Sequence, residues 1–287
     1  MEISLLLMQQ IAQLFLILIM GYAVVKAGLL KASDSRVLSV VMVYLVTPCV
    51  IINAFQIDDT PEIRKGLLYS MAIAAAIHVV LLVLSALLSR PLKLDAVEQV
   101  NVIYSNAAAL VIPLVKALMG DAYVIYSCAF IIVQLVLLWT HASSLLQGSS
   151  ALDWKKVLTN INMIAIAAGA LLYWFRVVLP APLQNTMSTV GNMMGPMGML
   201  LAGMAIAEKP LREVFCTRRN YLPTVLRLVV CPLVVLVLLW VCHASSWVAD
   251  GKNILMTVYL AAITPACATV TSMAQLYDRD AAHSSAL

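Results

Sequence analysis

The sequence predicts an all-α polytopic membrane protein, and three observations carry that reading. Hydrophobic residues make up 63% of the 287 residues and charged residues only 11%. Soluble domains carry about 45–50% apolar and about 25% charged residues. The apolar residues fall into runs of about 20, the length a helix needs to cross a bilayer core. Lys and Arg fall between these runs with a marked bias to alternate connections. The small net charge of +4 reads as that loop bias and not as a nucleic-acid surface.

In chain order, apolar spans are expected near 4–25, 37–56, 67–89, 97–119, 122–146, 160–179, 185–207, 221–243 and 253–276. The first begins "MEISLLLMQQ". It has an acid where a signal peptide has basic residues, and no A-x-A site follows, so it is read as a span. The connections are short, and none is rich in Gly or Ser over a long stretch.

The loops after odd-numbered spans hold Lys26, Lys31, Arg36, Arg90, Lys93, Lys155, Lys156, Lys209, Arg212, Arg218, Arg219 and Arg279. The other side holds Arg64, Lys65, Lys116, Arg176 and Lys252, and Arg227 lies within a span. The positive-inside rule then puts the N-terminus outside and the 147–159 loop in the cytoplasm.

Prolines suggest an internal repeat. Pro48 lies in span two, Pro113 in span four, Pro196 in span seven and Pro265 in span nine. The separations, 65 residues in the first pair and 69 in the second, match two five-span halves. Five is odd, so the halves enter the membrane from opposite sides. In such inverted repeats the broken helices meet near the midplane and form the substrate site. The expected division is 1–147 for the first repeat (spans one to five), 148–159 for a cytoplasmic loop and 160–287 for the second repeat (spans six to nine). A tenth span is expected after "LYDRDAAHSSAL". Helix 10 is absent from this chain, which therefore reads as C-terminally truncated.

The run "YSNAAALVIPLVKALMG" at 104–120 is the centre of the site expectation. Pro113 removes a backbone donor and crowds the carbonyl of Ala109, and Pro265 does the same at Ala261. Freed backbone groups are tolerated at membrane depth only beside protein or a polar cavity. Two such breaks would aim helix N-termini at one point, which suits an anion. Asn106 adds a carboxamide donor, Ser105 a hydroxyl, and Thr264-Pro265 the matching break. Asn53 and Gln134 would line the same cavity or act as inter-helix glue. His78 is a proton carrier or a neutral buried imidazole. Arg227 either snorkels to the interface or supplies a fixed positive charge. The stretch "MMGPMGMLLAGM" reads as adaptable packing.

Other classes fit less of this pattern. The six cysteines (Cys49, Cys128, Cys216, Cys231, Cys242, Cys267) have no paired spacing, so neither a disulfide framework nor a metal site is read. No cofactor is expected. All 14 Asp and Glu fall in loops or at span ends, which disfavours a carboxylate-based cation site. An intramembrane enzyme would need a catalytic constellation such as Gly-x-Ser-x-Gly or His-Glu-x-x-His, and neither is present. A channel would need a continuous polar lining. A permease subunit of an ATP-driven importer remains as an alternative to a free-standing carrier.

Particular segments resemble the auxin efflux carrier family. "SNAAALVIPLVKALMG" followed by "LLWT" is similar to its fourth and fifth helices. "MGPMGMLLAGMAI", "LRLVVCP" and "TPACATVTSMAQLYDRDAA" resemble its seventh, eighth and ninth. The resemblance implies a ten-helix inverted-repeat fold like that of sodium/proton antiporters and bile-acid symporters. It implies crossed helices four and nine holding a carboxylate such as malonate or an auxin-like acid, in a bacterial inner membrane, with homodimers compatible. It gives small organic anion and lipid as partners, and no nucleic acid. Departures leave the substrate open: Ala107, Ala108, Ala109 and Val111 stand where members often carry glycines, and Gln134 where they often carry Asn.

Overall fold

The computed structural model describes residues 2–56, 60–148, 161–242 and 250–287, together with 159 and 248. The 148–159 connection expected in the cytoplasm, with Lys155 and Lys156, falls almost entirely outside the described residues. Each expected span has a helical counterpart. Span one is Glu2–Lys26, and span six is Ile161–Trp174. Spans two (Ala32–Ala54), three (Pro61–Ser89), five (Val124–Gln147), seven (Ala181–Ile206) and eight (Arg218–Val241) are each long and apolar enough to cross a membrane. Span four is two half-helices, Ala96–Ile103 and Ile112–Met119. Span nine is also two, Gly251–Ile263 and Ala268–Leu276. The chain then forms one further short helix, Ala281–Ala286.

Local chemistry sets the helix ends. Thr60 caps span three by accepting the Ile63 N–H, and Pro61 takes the first helical position, where its missing donor costs nothing. That cap starts the helix six residues before the expected boundary at 67. Asp95 and Glu98 form a reciprocal capping box at the start of span four.

Pro48 and Pro113 act differently from the expectation, and Pro232 acts as they do. Pro48, Pro113 and Pro232 each follow a π turn by two residues: Met42–Val46, Ala107–Val111 and Leu226–Val230. A proline leaves one carbonyl without its i+4 donor and crowds it. The helix widens by one residue there and continues. Pro113 therefore does not break span four, as the sequence reading had it. The break lies earlier, at Tyr104–Asn106. Pro265, by contrast, sits in the break of span nine, between Thr264 and Cys267.

The described helices pack in two groups. Span one lies on span seven, and span two packs on spans six and seven. Spans three, four, five, eight and nine pack together, and around them lies the main apolar core, including Ile77, Tyr104, Phe130 and Val258. Spans one and seven cross at glycines. A Cβ on Gly203 would collide with the Leu18 carbonyl oxygen, and one on Gly21 with that of Leu200. The groups meet where the second half of span nine lies on spans two and seven.

The loops segregate to two ends. At one end Arg36 pairs with Asp278 at 2.8 Å, Lys209 with Asp280 at 2.7 Å, and Arg219 with Glu98. At the other, the Tyr123 hydroxyl donates to Asp250 at 2.7 Å and the Leu179 N–H to Gln56 Oε1 at 3.0 Å. Among the described residues, loops after odd spans thus gather at one end and loops after even spans at the other. A cavity of about 890 Å³ lies between the two helix groups in the half away from the basic loops.

Candidate functional site

The breaks of spans four and nine lie across one another and pair as a two-bond antiparallel ribbon. Asn106 N–H donates to the Pro265 carbonyl at 2.8 Å, and Cys267 N–H to the Tyr104 carbonyl at 3.1 Å. Ser105 and Ala266 face each other between these bonds. Backbone groups that unwinding would otherwise orphan are thereby satisfied at depth. Ser105 and Asn106 meet Thr264 and Pro265 here, as the sequence suggested.

Gln134, from span five, clasps the break. Its Oε1 accepts from the Ser105 N–H at 3.0 Å and from the Ser105 hydroxyl at 2.7 Å, and its Nε2 donates to the Ser105 carbonyl at 2.8 Å. One carboxamide so satisfies both backbone groups of Ser105. Of the two roles the sequence left open for Gln134, this geometry is that of inter-helix glue.

Arg227 resolves in the same way. It lies in the π turn of span eight, 2% exposed, and does not snorkel. Nε and Nη2 donate to the Thr264 carbonyl at 3.0 and 2.7 Å, Nη2 also to that of Ala262, and Nη1 to those of Val102 and Ile103 at 3.2 Å. These carbonyls end the first halves of both broken spans. Each such end carries about −0.5 of an elementary charge, so one guanidinium roughly neutralises two converging C-termini. The helix boundaries alone did not show this role. The signal available in the sequence was a lone Arg in an apolar span.

The second half-helices start at the same place. Asn106 precedes the turn that leads into Ile112–Met119, and Cys267 caps Ala268–Leu276. The Asn106 side chain is 4% exposed, and no described residue hydrogen-bonds it. The Thr264 hydroxyl turns back to the Ala261 carbonyl at 3.2 Å. Pro265 is exposed. Pro113 is placed by its backbone, inside the second half of span four.

Of the remaining candidates, Asn53 lies apart from the crossing ribbon and His78 lies beside it, its ring 6.3 Å from that of Tyr104. Asn53 lines the cavity, with Gln56, Tyr126, Ser188 and Asn192. His78 is fully buried in span three. Its Nδ1–H donates to the Ala74 carbonyl at 2.7 Å, its ring lies 4.9 Å from Phe130, and Nε2 meets no hydrogen-bond geometry with a described residue. Sequence reasoning missed Tyr104. Its carbonyl is part of the ribbon, and its hydroxyl meets the Leu137 carbonyl at 3.1 Å and His141 Nδ1 at 3.0 Å.

Among the described residues the fold is helical, with five helices long and apolar enough to cross a membrane and two broken helices crossing inside it, and this defines a polytopic membrane protein. The family model described as "Membrane transport protein" matches residues 6–152. The chain belongs to that family, the auxin efflux carriers. No curated protein matches it.

Proposed function

We propose that the protein is a secondary carrier that moves a small organic anion, a carboxylate, by alternating access. The crossing binds the anion, and the cavity is its approach from outside. The observation that carries this reading is the charge balance at the crossing. Arg227 offsets the two half-helix C-termini, while the two half-helix N-termini, worth about +0.5 each, have no acidic partner among the described residues. The Asn106 carboxamide, which no described residue hydrogen-bonds, adds a donor of the kind a carboxylate accepts. Low surrounding polarity strengthens each of these terms.

In this reading spans one to five and six onward form an inverted repeat, with the N-terminus outside and the basic loops in the cytoplasm of a bacterial inner membrane. Two copies would assemble as a homodimer. The proton role once considered for His78 is not needed for binding.

The test is thermal stabilisation of the purified protein by a panel of mono- and dicarboxylates, malonate and indole-3-acetate included, with Asn106→Ala alongside. At least one acid should raise the unfolding midpoint of the parent. The variant should keep the parent's unliganded midpoint and bind about 10- to 150-fold more weakly, the cost of about 1.5–3 kcal/mol for a lost hydrogen bond to a charged group. Equal affinity in parent and variant, or no stabilisation by any acid, would overturn the reading.

A further inference from the structure

We infer that Arg36–Asp278 and Lys209–Asp280 form the gate that closes the basic end of the molecule while the cavity is open at the other. The inference rests on the alternating-access reading, and it names the contacts that must break when the carrier turns over.

Both pairs join one helix group to the other. Arg36 starts span two and Lys209 follows span seven, whereas Asp278 and Asp280 follow span nine. The cavity lies between the same two groups, toward the opposite end. Between cavity and ion pairs the groups are in contact. A Cβ on Gly198 would meet the Ala268 Cβ at 2.9 Å, the Ser272 hydroxyl meets Met42 Sδ at 3.2 Å, and Ala205 clusters with Ala274 and Ala281. These are mostly small side chains, which interlock little and let one face move along the other.

The arginine contacts within the second group differ in kind. Arg219 grips both carboxylate oxygens of Glu98, which is 1% exposed, and also donates to the Leu92 and Lys93 carbonyls. Arg279 donates to the Leu146 carbonyl. Those contacts join spans eight to four and nine to five, and they hold one body together. The pairs across the groups are single contacts between side chains 34–74% exposed. Exposed pairs contribute little and are screened by salt. A contact broken and remade in every cycle has to be of that strength, whereas a buried pair would hold the gate shut.

The test reads conformation and not transport. Asn192, exposed in the cavity wall, is changed to Cys in a chain whose six native cysteines are Ala or Ser. Its labelling by a membrane-impermeant maleimide, added to right-side-out vesicles, reports the fraction with the cavity open. Arg36→Glu and Lys209→Glu should each shift the open-to-closed equilibrium by about 1.5- to 5-fold toward closed, the change expected from one exposed pair, and slow labelling accordingly. The double variant should exceed either, and Arg36→Glu with Asp278→Arg should return toward the parent. High salt on the basic face should slow labelling of the Asn192→Cys chain with both pairs intact, which covers the case in which the charge variants fail to fold.

Unchanged labelling in the folded variants and in high salt, or no recovery in the charge swap, would overturn the gate. Failure of the carboxylate screen with labelling shifted as described would instead overturn the substrate reading and leave the gate standing.

Discussion

Arg227 reaches the Thr264 carbonyl twice, through Nε at 3.0 Å and Nη2 at 2.7 Å. An arginine from span eight thus caps the first half of span nine, and with its remaining donors it caps the first half of span four. Arg227→Met removes the guanidinium donors from four buried carbonyls at helix ends, of which that of Val102 keeps the Cys231 thiol at 3.6 Å. Each unsatisfied acceptor costs about 1–3 kcal/mol, so the variant should lose more than about 3 kcal/mol of stability. Arg227→Lys keeps the charge but not the planar fork and should fall between. Thermal unfolding of the purified proteins in one detergent checks the order, and a methionine variant as stable as the parent would refute the capping role.

The Gln134 clasp predicts a second series. Gln134→Leu keeps the volume and removes all three hydrogen bonds to Ser105, leaving a buried N–H and C=O unpaired. A loss of about 2–4 kcal/mol is expected. Gln134→Glu keeps the acceptor for the Ser105 N–H and hydroxyl, but loses the donor to its carbonyl and adds a negative charge beside the anion site. It should weaken carboxylate binding more than Gln134→Leu does at equal folded fraction. Binding by the charged variant as tight as by the apolar one would argue against an anion at the crossing.

The ribbon predicts a cross-link. Ser105 and Ala266 form a non-hydrogen-bonded antiparallel pair, in which Cα atoms lie about 4.5 Å apart, within disulfide reach. Ser105→Cys with Ala266→Cys, in a chain without the native cysteines, should oxidise readily. Free-thiol counts with and without reductant report it. A folded double variant that stays reduced under oxidant would disprove this register.

Asp280 gives a pH prediction. Burial raises its carboxyl pKa, but the Lys209 ammonium and the His283 N–H outweigh that and hold it below the ordinary carboxylate range. The folded state therefore gains from the ionised form above the ordinary value near 4, and loses that gain as pH falls through the lower folded value. Asp280 also caps Ala281–Ala286, accepting the His283 N–H at 2.7 Å. Hydrogen exchange at His283, corrected for its intrinsic rate, should stay slow at neutral pH and quicken below about pH 4. Protection unchanged to well below that pH would exclude this contribution.

Much of the architecture was legible in the sequence because a bilayer leaves few choices. Backbone groups with no water must bond within helices, so apolar length alone located nine helical segments. Charge alone sorted the loops, and the described parts of the two sorted sets lie at opposite ends of the molecule. The polar pair Ser105-Asn106 marked the break in span four because polar residues at depth need a reason to be there. The prolines were less informative than they looked. A missing N–H fixes that one carbonyl must find another partner, but the neighbouring packing decides whether the helix widens, as before Pro113, or opens, as at Pro265.

By itself the sequence determined the class of protein and where nine apolar segments would form helices. These follow from properties of single residues and their spacing: transfer free energy, charge and the absence of a donor on proline. Only the tertiary structure decided who satisfies whom. That Gln134 takes up Ser105, that Arg227 serves two helices at once and that Ala266 faces Ser105 depend on directions of side chains from spans 29 to 161 residues apart in the chain. Hydrogen bonds are directional and short-ranged, so those partnerships exist only once apolar packing has set the helices side by side.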